Sequence, residues 1–217
     1  MAPNDDPTVA LRRISDAQTL RALTHPVRIA LMECLTLEGP LTATQASELI
    51  GESPTTCSFH LRQLARFGIV EEAGGGKGRN RPWKMSQIGM TVQSTDLDAE
   101  GSAALSVLTR VMRQRYFSRL EAWELNRQAY PKEWQEASGG GQFLLYVTVA
   151  EAEAVQHEVM GLLMRYQGRI AHPELRPLGS EPVEVLVFTY PVRPPGRSGG
   201  GPKKRRGASG SGQEGRR

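Results

Sequence analysis

The chain of 217 residues has no uninterrupted apolar run of the ~18 residues that a membrane-spanning helix requires, so a membrane role is not expected. Residues 1–9 are polar and contain proline, which is not the pattern of a secretory signal. Only two cysteines occur, Cys34 and Cys57, and both fall inside apolar helical patterns. That excludes a disulfide framework and points to a cytoplasmic protein with buried thiols. No paired carboxylates, Ser/His/Asp set or Cys/His set stands at a convincing spacing. His157 and Glu158 are neighbours on a helix and point to different faces. No catalytic residues and no cofactor are therefore expected, and the chain reads as a non-enzyme.

The net charge of +4 is uneven. From Arg193 onward there are eight Lys/Arg and one Glu, a local +7, which leaves 4 − 7 = −3 for residues 1–192. Within that acidic body, residues 53–86 carry six Lys/Arg against two Glu. A local basic patch is a better footprint of nucleic-acid binding than a basic total.

That patch starts with SPTTCSFHLRQLARFG, residues 53–68. Ser53 suits an N-cap, Pro54 the first helical position, and Gly68 a left-handed stop. At ~100° per residue, Cys57, Leu61 and Leu64 share one stripe with His60 at its edge. Thr55, Phe59, Arg62 and Arg66 lie opposite, flanked by Thr56, Ser58 and Gln63. Hydroxyls, an aromatic and two guanidinium forks can reach phosphates and base edges. An ordinary amphipathic surface helix would show the same two faces, so the neighbours must decide.

The neighbours are capped helices. Residues 16–23 read as a short helix capped by Ser15. Thr24 caps the next, with Pro26 in its first turn and a stripe of Val27, Leu31, Cys34 and Leu35, joined by Ile29, Ala30 and Leu37. Gly39-Pro40 stops it. Thr42 caps a third helix in which Ala46, Leu49 and Ile50 face inward, and Gly51 ends it. Two tightly linked capped helices suggest a helix-turn-helix. The period then changes. Residues 69–72 and 81–86 read as two strands joined by AGGGKGRN, which carries Lys77 and Arg79, with Arg81 following and Trp83 and Met85 on one face. A helix-turn-helix followed by such a hairpin is a winged helix. Its cationic loop suits a phosphate backbone or a minor groove. GGGKG lacks the spacing of a nucleotide-binding loop and sits in a hairpin rather than before a helix.

Residues 20–86 resemble the DNA-binding domain of ArsR-type winged-helix transcriptional regulators. The resemblance is carried by LRALTHPVRIALMECL (20–35), LTATQASELIG (41–51) and SPTTCSFHLRQLARFGIVEE (53–72). Within these stand a His-Pro-x-Arg element (His25, Pro26, Arg28) and a Ser-x-His-Leu element (Ser58, His60, Leu61). The resemblance implies a homodimer that binds double-stranded DNA at an imperfect palindrome, usually as a repressor in a bacterial cell. DNA contacts are expected from Ser53, Thr55, Thr56, Ser58, Phe59, Arg62, Gln63, Arg66, Lys77, Arg79 and Arg81. Metal sensing at the family's sites is not expected. The helix ATQASELIG has no Cys, and the candidate dimer helix, residues 103–130, has no His.

In that long helix Leu105, Leu108, Met112, Tyr116, Leu120 and Trp123 recur at helical spacing, and Val111 and Phe117 widen the stripe. A helix of ~28 residues is about 42 Å long, more than one small domain can cover. A symmetry mate is the expected cover, and packing on the C-terminal unit is the alternative. Pro131 ends the helix. Residues 143–148 (FLLYVT) read as a strand. A Thr148-x-x-Glu151 capping box opens a helix to about Tyr166, with Val155, Val159, Leu162, Leu163 and Tyr166 inward. Residues 183–190 (VEVLVFTY) read as a last strand. This unit is either an effector or partner module, taking a small molecule or a protein, or a structural extension of the dimer. The tail from Pro194 is expected to be disordered. PKKRR (202–206) resembles a nuclear-import signal, but a DNA-holding tail fits the bacterial resemblance better, and a solubilising tail is the bland alternative.

The expected fold class is α+β and mainly helical. It comprises an N-terminal arm (1–14), a winged helix-turn-helix (15–90), a linker and long dimerisation helix (91–137), a small strand-helix-strand unit (138–192) and a disordered basic tail (193–217). The expected function is sequence-specific transcriptional regulation with a non-metal signal. The alternative is a winged-helix protein-interaction module that does not read DNA.

Overall fold

The computed structural model describes residues 12–76, 80–87, 89–92 and 94–193. Its contacts divide the chain into two units, 1–186 and 187–217. The first is mainly helical. Strand β1 (Arg12–Arg13) is followed by helices α1 (Ala17–Ala22), α2 (Pro26–Glu38), α3 (Ala43–Ile50) and α4 (Pro54–Arg66). Strands β2 (Val70–Glu72), β3 (Trp83–Met85) and β4 (Met90–Thr91) come next. Helices α5 (Ala99–Asn126), α6 (Lys132–Ala137), α7 (Val149–Met164) and α8 (Gly168–Ala171) complete the order. Of the second unit, residues 187–193 are described. They are irregular, with Phe188, Tyr190 and Val192 exposed.

The core is built by α1 to α4 and the hairpin. Leu20, Ile29, Leu31, Cys57, Leu61, Leu64 and Val70 are its fully buried side chains. Each buried leucine contributes about 1.5–3 kcal/mol. Local chemistry sets the helix ends. Thr42 and Gln45 form a reciprocal capping box on α3. Gly51, at φ 73°, takes the left-handed conformation that turns the chain toward α4. The Ser53 hydroxyl accepts from the Thr56 amide at 3.0 Å and caps α4. Strands β2 and β3 pair antiparallel with Val70 opposite Met85. Leu41 bridges to Trp83 through two backbone bonds of 3.0 and 2.8 Å, which ties the hairpin to the start of α3.

Several expectations are corrected. Asp16, not Ser15, caps α1, since its carboxylate reaches the Thr19 amide at 2.7 Å. His25, not Thr24, caps α2 through Nδ1, and the Thr24 hydroxyl donates instead to the Arg21 carbonyl. Leu49, near the end of a two-turn helix, is 57% exposed, and Leu37 also faces out. Ala43, Ala46 and Ser47 are the buried residues of α3. The 87–101 stretch is not simply a linker. It supplies β4, which pairs in parallel with β1, and the first turn of α5. The long helix starts at Ala99, capped by Asp98, and ends at Asn126, earlier than expected. Residues 143–148 and 183–190 form no strand. Helix α7 does begin at a Thr148–Glu151 capping box, but Val155, Leu162 and Tyr166 are exposed rather than inward. Residues 1–11, 77–79 and 194–217, which hold the arm's start, Lys77, Arg79 and the tail, lie outside the described residues.

Replacing Leu61 by Ala should cost about 2–5 kcal/mol of unfolding free energy, because the site is fully buried. Leu49→Ala should stay within about 0.5 kcal/mol. Urea unfolding of both variants checks the inside and outside of this helix pair.

Candidate nucleic-acid interface

Helix α4 is held by one face and both ends. Cys57, Leu61 and Leu64 are fully buried, which turns Thr55, Phe59, Arg62 and Arg66 to solvent. Phe59 is 51% exposed and sets its ring edge-on to His60 at 5.1 Å. Ser58 and Gln63 are half-buried at the margins. The Thr56 hydroxyl stands 2.8 Å from that of Ser53, so these two hydroxyls serve the helix end as well as the surface. At the other end the Arg12 guanidinium donates to the carbonyls of Phe67 and Gly68. Lys or Arg at a helix C-terminus satisfies orphan carbonyls and complements the dipole. Gly68 suits the place twice: its φ is 63°, and a β-carbon there would sit 3.1 Å from the Arg12 side chain. No local pattern marks Arg12 for this role, since its partners lie more than fifty residues away.

The cations divide into paired and unpaired. Arg81 donates to Glu72 at 2.9 and 3.1 Å, and Lys84 lies 3.1 Å from Glu71. Arg81 is among the expected DNA contacts, but a phosphate must compete with Glu72 for it. Both partners are about half exposed, so that competition costs about 0–1 kcal/mol. Arg62 and Arg66 make no ion pair among the described residues. They are the open cations of the described patch.

Beneath this face lies a feature that the sequence did not announce. His60 of α4 packs against His25, the cap of α2, with ring centroids 4.3 Å apart. His60 Nδ1 is buried and has no hydrogen-bond partner among the described residues. Burial holds both imidazoles below the ordinary value of 6.5. The Arg28 charge adds to this at both rings and His25 adds to it at His60, while Glu52 opposes. Burial pushes the thiols of Cys34 and Cys57 up, which keeps them protonated and unreactive. Among the described residues no three His, Cys, Asp or Glu side chains gather as a metal site.

The expected dimer stripe is only partly on the surface. Leu105 and Leu108 pack against the core of their own chain. Gly101 and Ala104 are buried where α5 crosses α1. Further along, Met112, Tyr116 and Trp123 are half-buried and Leu120 is exposed. Glu33 of α2 receives Arg115 at 2.5 Å and Arg119 at 2.7 Å, and Arg119 also reaches Glu184 at 2.5 Å. Burial acts to raise the Glu33 carboxyl, but the two guanidiniums prevail and hold it below its ordinary value.

The helix-turn-helix domain family matches residues 23–73. That span covers α2, α3, α4 and β2, and it makes this part of the chain a helix-turn-helix domain, which supports a DNA-binding regulator. No curated protein matches the chain. Among solved structures, the transcriptional regulator Tm0710 from Thermotoga maritima is similar at 12% identity, over 68% of this chain and 82% of that one. Its TM-score of 0.28 is too low to carry an argument about this chain. Among the described residues no helix is long and apolar enough to cross a membrane.

The histidine pair gives a signed pH dependence. The unfolded chain takes up protons near 6.5 and the folded rings only at lower pH. Stability from this pair is therefore complete above 6.5 and declines as pH falls toward the folded values. Urea unfolding across that range should show the decline. His25→Asn, which keeps a capping side chain, should reduce it.

Proposed function

We propose that the chain is a sequence-specific DNA-binding transcriptional regulator of the ArsR type, a repressor acting in the bacterial cytoplasm as a homodimer. In this reading residues 15–90 are a winged helix-turn-helix, with α4 in the major groove and the β2–β3 hairpin as the wing. The observation that carries it is the face of α4: Thr55, Phe59, Arg62 and Arg66 are exposed on a helix whose other face is fully buried. Two exposed arginines without carboxylate partners among the described residues stand beside Thr55 and Phe59 on this face, and guanidinium forks and hydroxyls so placed can reach phosphates and base edges, as on a recognition helix. The signal is not a metal, and no catalytic role belongs to this reading. The part of α5 beyond Leu108 supplies the dimer contact, since Met112, Tyr116, Leu120 and Trp123 lie past its crossing with the core. The wing tip, with Lys77 and Arg79, and the basic tail add affinity without sequence choice.

Selection of bound fragments from genomic DNA by the purified protein tests this directly, and recovery of no enriched sequence would overturn it. On a selected site Arg62→Ala should cost about 1–3 kcal/mol, and much less on random DNA. Arg81→Ala should cost less than Arg62→Ala, because Glu72 already competes for that side chain. Lys77→Ala with Arg79→Ala should weaken both DNAs alike and flatten the salt dependence of log K by about 0.9 per lost phosphate contact. Met112→Glu with Leu120→Glu should give monomer in sedimentation and abolish tight binding. An unaltered protein that sediments as monomer at micromolar concentration would remove the homodimer from the proposal.

A further inference from the structure

Three rings touch one after another in the helix-turn-helix: Phe59 on the exposed face of α4, the buried His60, and His25 at the start of α2. The inner end is tied down. His25 Nδ1 accepts from the Val27 amide at 3.3 Å, which holds its ring at the head of α2. His60 packs on that ring with centroids 4.3 Å apart and planes 39° from parallel. Its buried Nδ1 has no hydrogen-bond partner among the described residues, so ring packing is what holds it.

The outer end has a choice. An aromatic side chain on a helix can take either of two staggered χ1 positions. Phe59 is half exposed, so it lacks the all-round packing that fixes a core side chain. His60 supplies a preference: the two rings lie 5.1 Å apart with planes 77° from parallel, an edge-to-face contact. Such a contact biases a two-way choice by about two- to tenfold. The ring so held is an apolar group set among Thr55, Arg62 and Arg66 on a face otherwise made of polar side chains. A major groove presents one apolar feature to such a ring, the 5-methyl group of thymine.

We infer that Phe59 contacts a thymine methyl in the major groove, and that the buried His60, stacked on His25, is the positioning residue that holds the Phe59 ring for it. The inference rests on α4 being the recognition helix, and adds one specificity contact and its support. Binding of the full chain is measured on a duplex selected from genomic DNA, with each thymine replaced in turn by deoxyuridine, which removes the methyl alone. One such replacement should weaken binding about fourfold, the worth of one buried methyl group. Phe59→Ala should abolish that preference. His60→Leu should reduce it below about twofold, whereas His60→Phe, which restores a ring, should keep it. The cost of Arg62→Ala should be the same with His60→Leu as without it, since a displaced α4 would disturb both contacts and a loosened ring only one. Where His60→Leu does not fold, His25→Asn decides, because it removes the inner ring and should lower the methyl preference too. A methyl preference unchanged in the deciding variant, or a changed cost of Arg62→Ala, would overturn the positioning role. If no deoxyuridine effect depends on Phe59, the whole inference fails and the regulator stands. A selection that enriches no sequence would instead remove the reading on which it rests.

Discussion

The amino-terminal structure depends on the burial of one stripe of α4. Cys57, Leu61 and Leu64 have no solvent exposure, and α4 packs on both α2 and α3 through that side. A helix buried along one face has its other face fixed by geometry. Phe59 and Arg62 are therefore aimed by the side chains buried on the opposite face. The ends are fixed separately, by the Ser53 hydroxyl at the N-terminus and by Arg12 on the last carbonyls. Arg12 belongs to β1, which pairs with β4 just before α5. The arm, α4 and the entry to the long helix are thus held in one arrangement.

Charge follows from the same arrangement. The hairpin register places Glu71 opposite Lys84 and Glu72 opposite Trp83, which brings Glu72 within reach of Arg81. Two of the six cations of residues 53–86 are thereby neutralised by the only two carboxylates there. The four that remain equal the local excess of charge. In the described part that excess rests on Arg62 and Arg66, on the exposed face of α4. A count of charges could find the patch, but only the register shows which members are open.

Much of this was legible because the signals are local. Thr42, Ser53 and Thr148 cap where they should, Gly51 and Gly68 turn the chain, and the buried stripe of α4 has the expected period. Misplaced caps missed by one residue, where two capping side chains compete: Asp16 beside Ser15, and His25 beside Thr24. Arg12, the histidine pair and the Glu33 cluster were not legible, since each joins residues far apart in sequence. Strand propensity at 143–148 failed for a different reason. A helix satisfies its own backbone, whereas a strand requires a partner, and its propensity measures fit to a surface that must first exist. Among the described residues of one chain, no sheet edge meets this segment.

Magnitudes show what holds the C-terminal region. Glu184 is joined to Arg119 of α5, and Arg119 shares Glu33 of α2 with Arg115. The cluster thus runs from the last described part of the first unit to the helix beneath α4. Yet the Arg119–Glu184 pair is about 40% exposed on each side, 42% and 38%, so it contributes about 0–1 kcal/mol. Fixing the backbone of a single residue costs about 1–2 kcal/mol. One exposed ion pair cannot order even the residues next to it, so Glu184 orients its segment without holding it. Most of the ordering free energy must come from burying apolar area, and residues 143–147 and 183–185 carry that area on their surface. Order in the C-terminal region therefore has to be linked to whatever covers these side chains, while α1 to α4 are ordered by a core already closed within the chain.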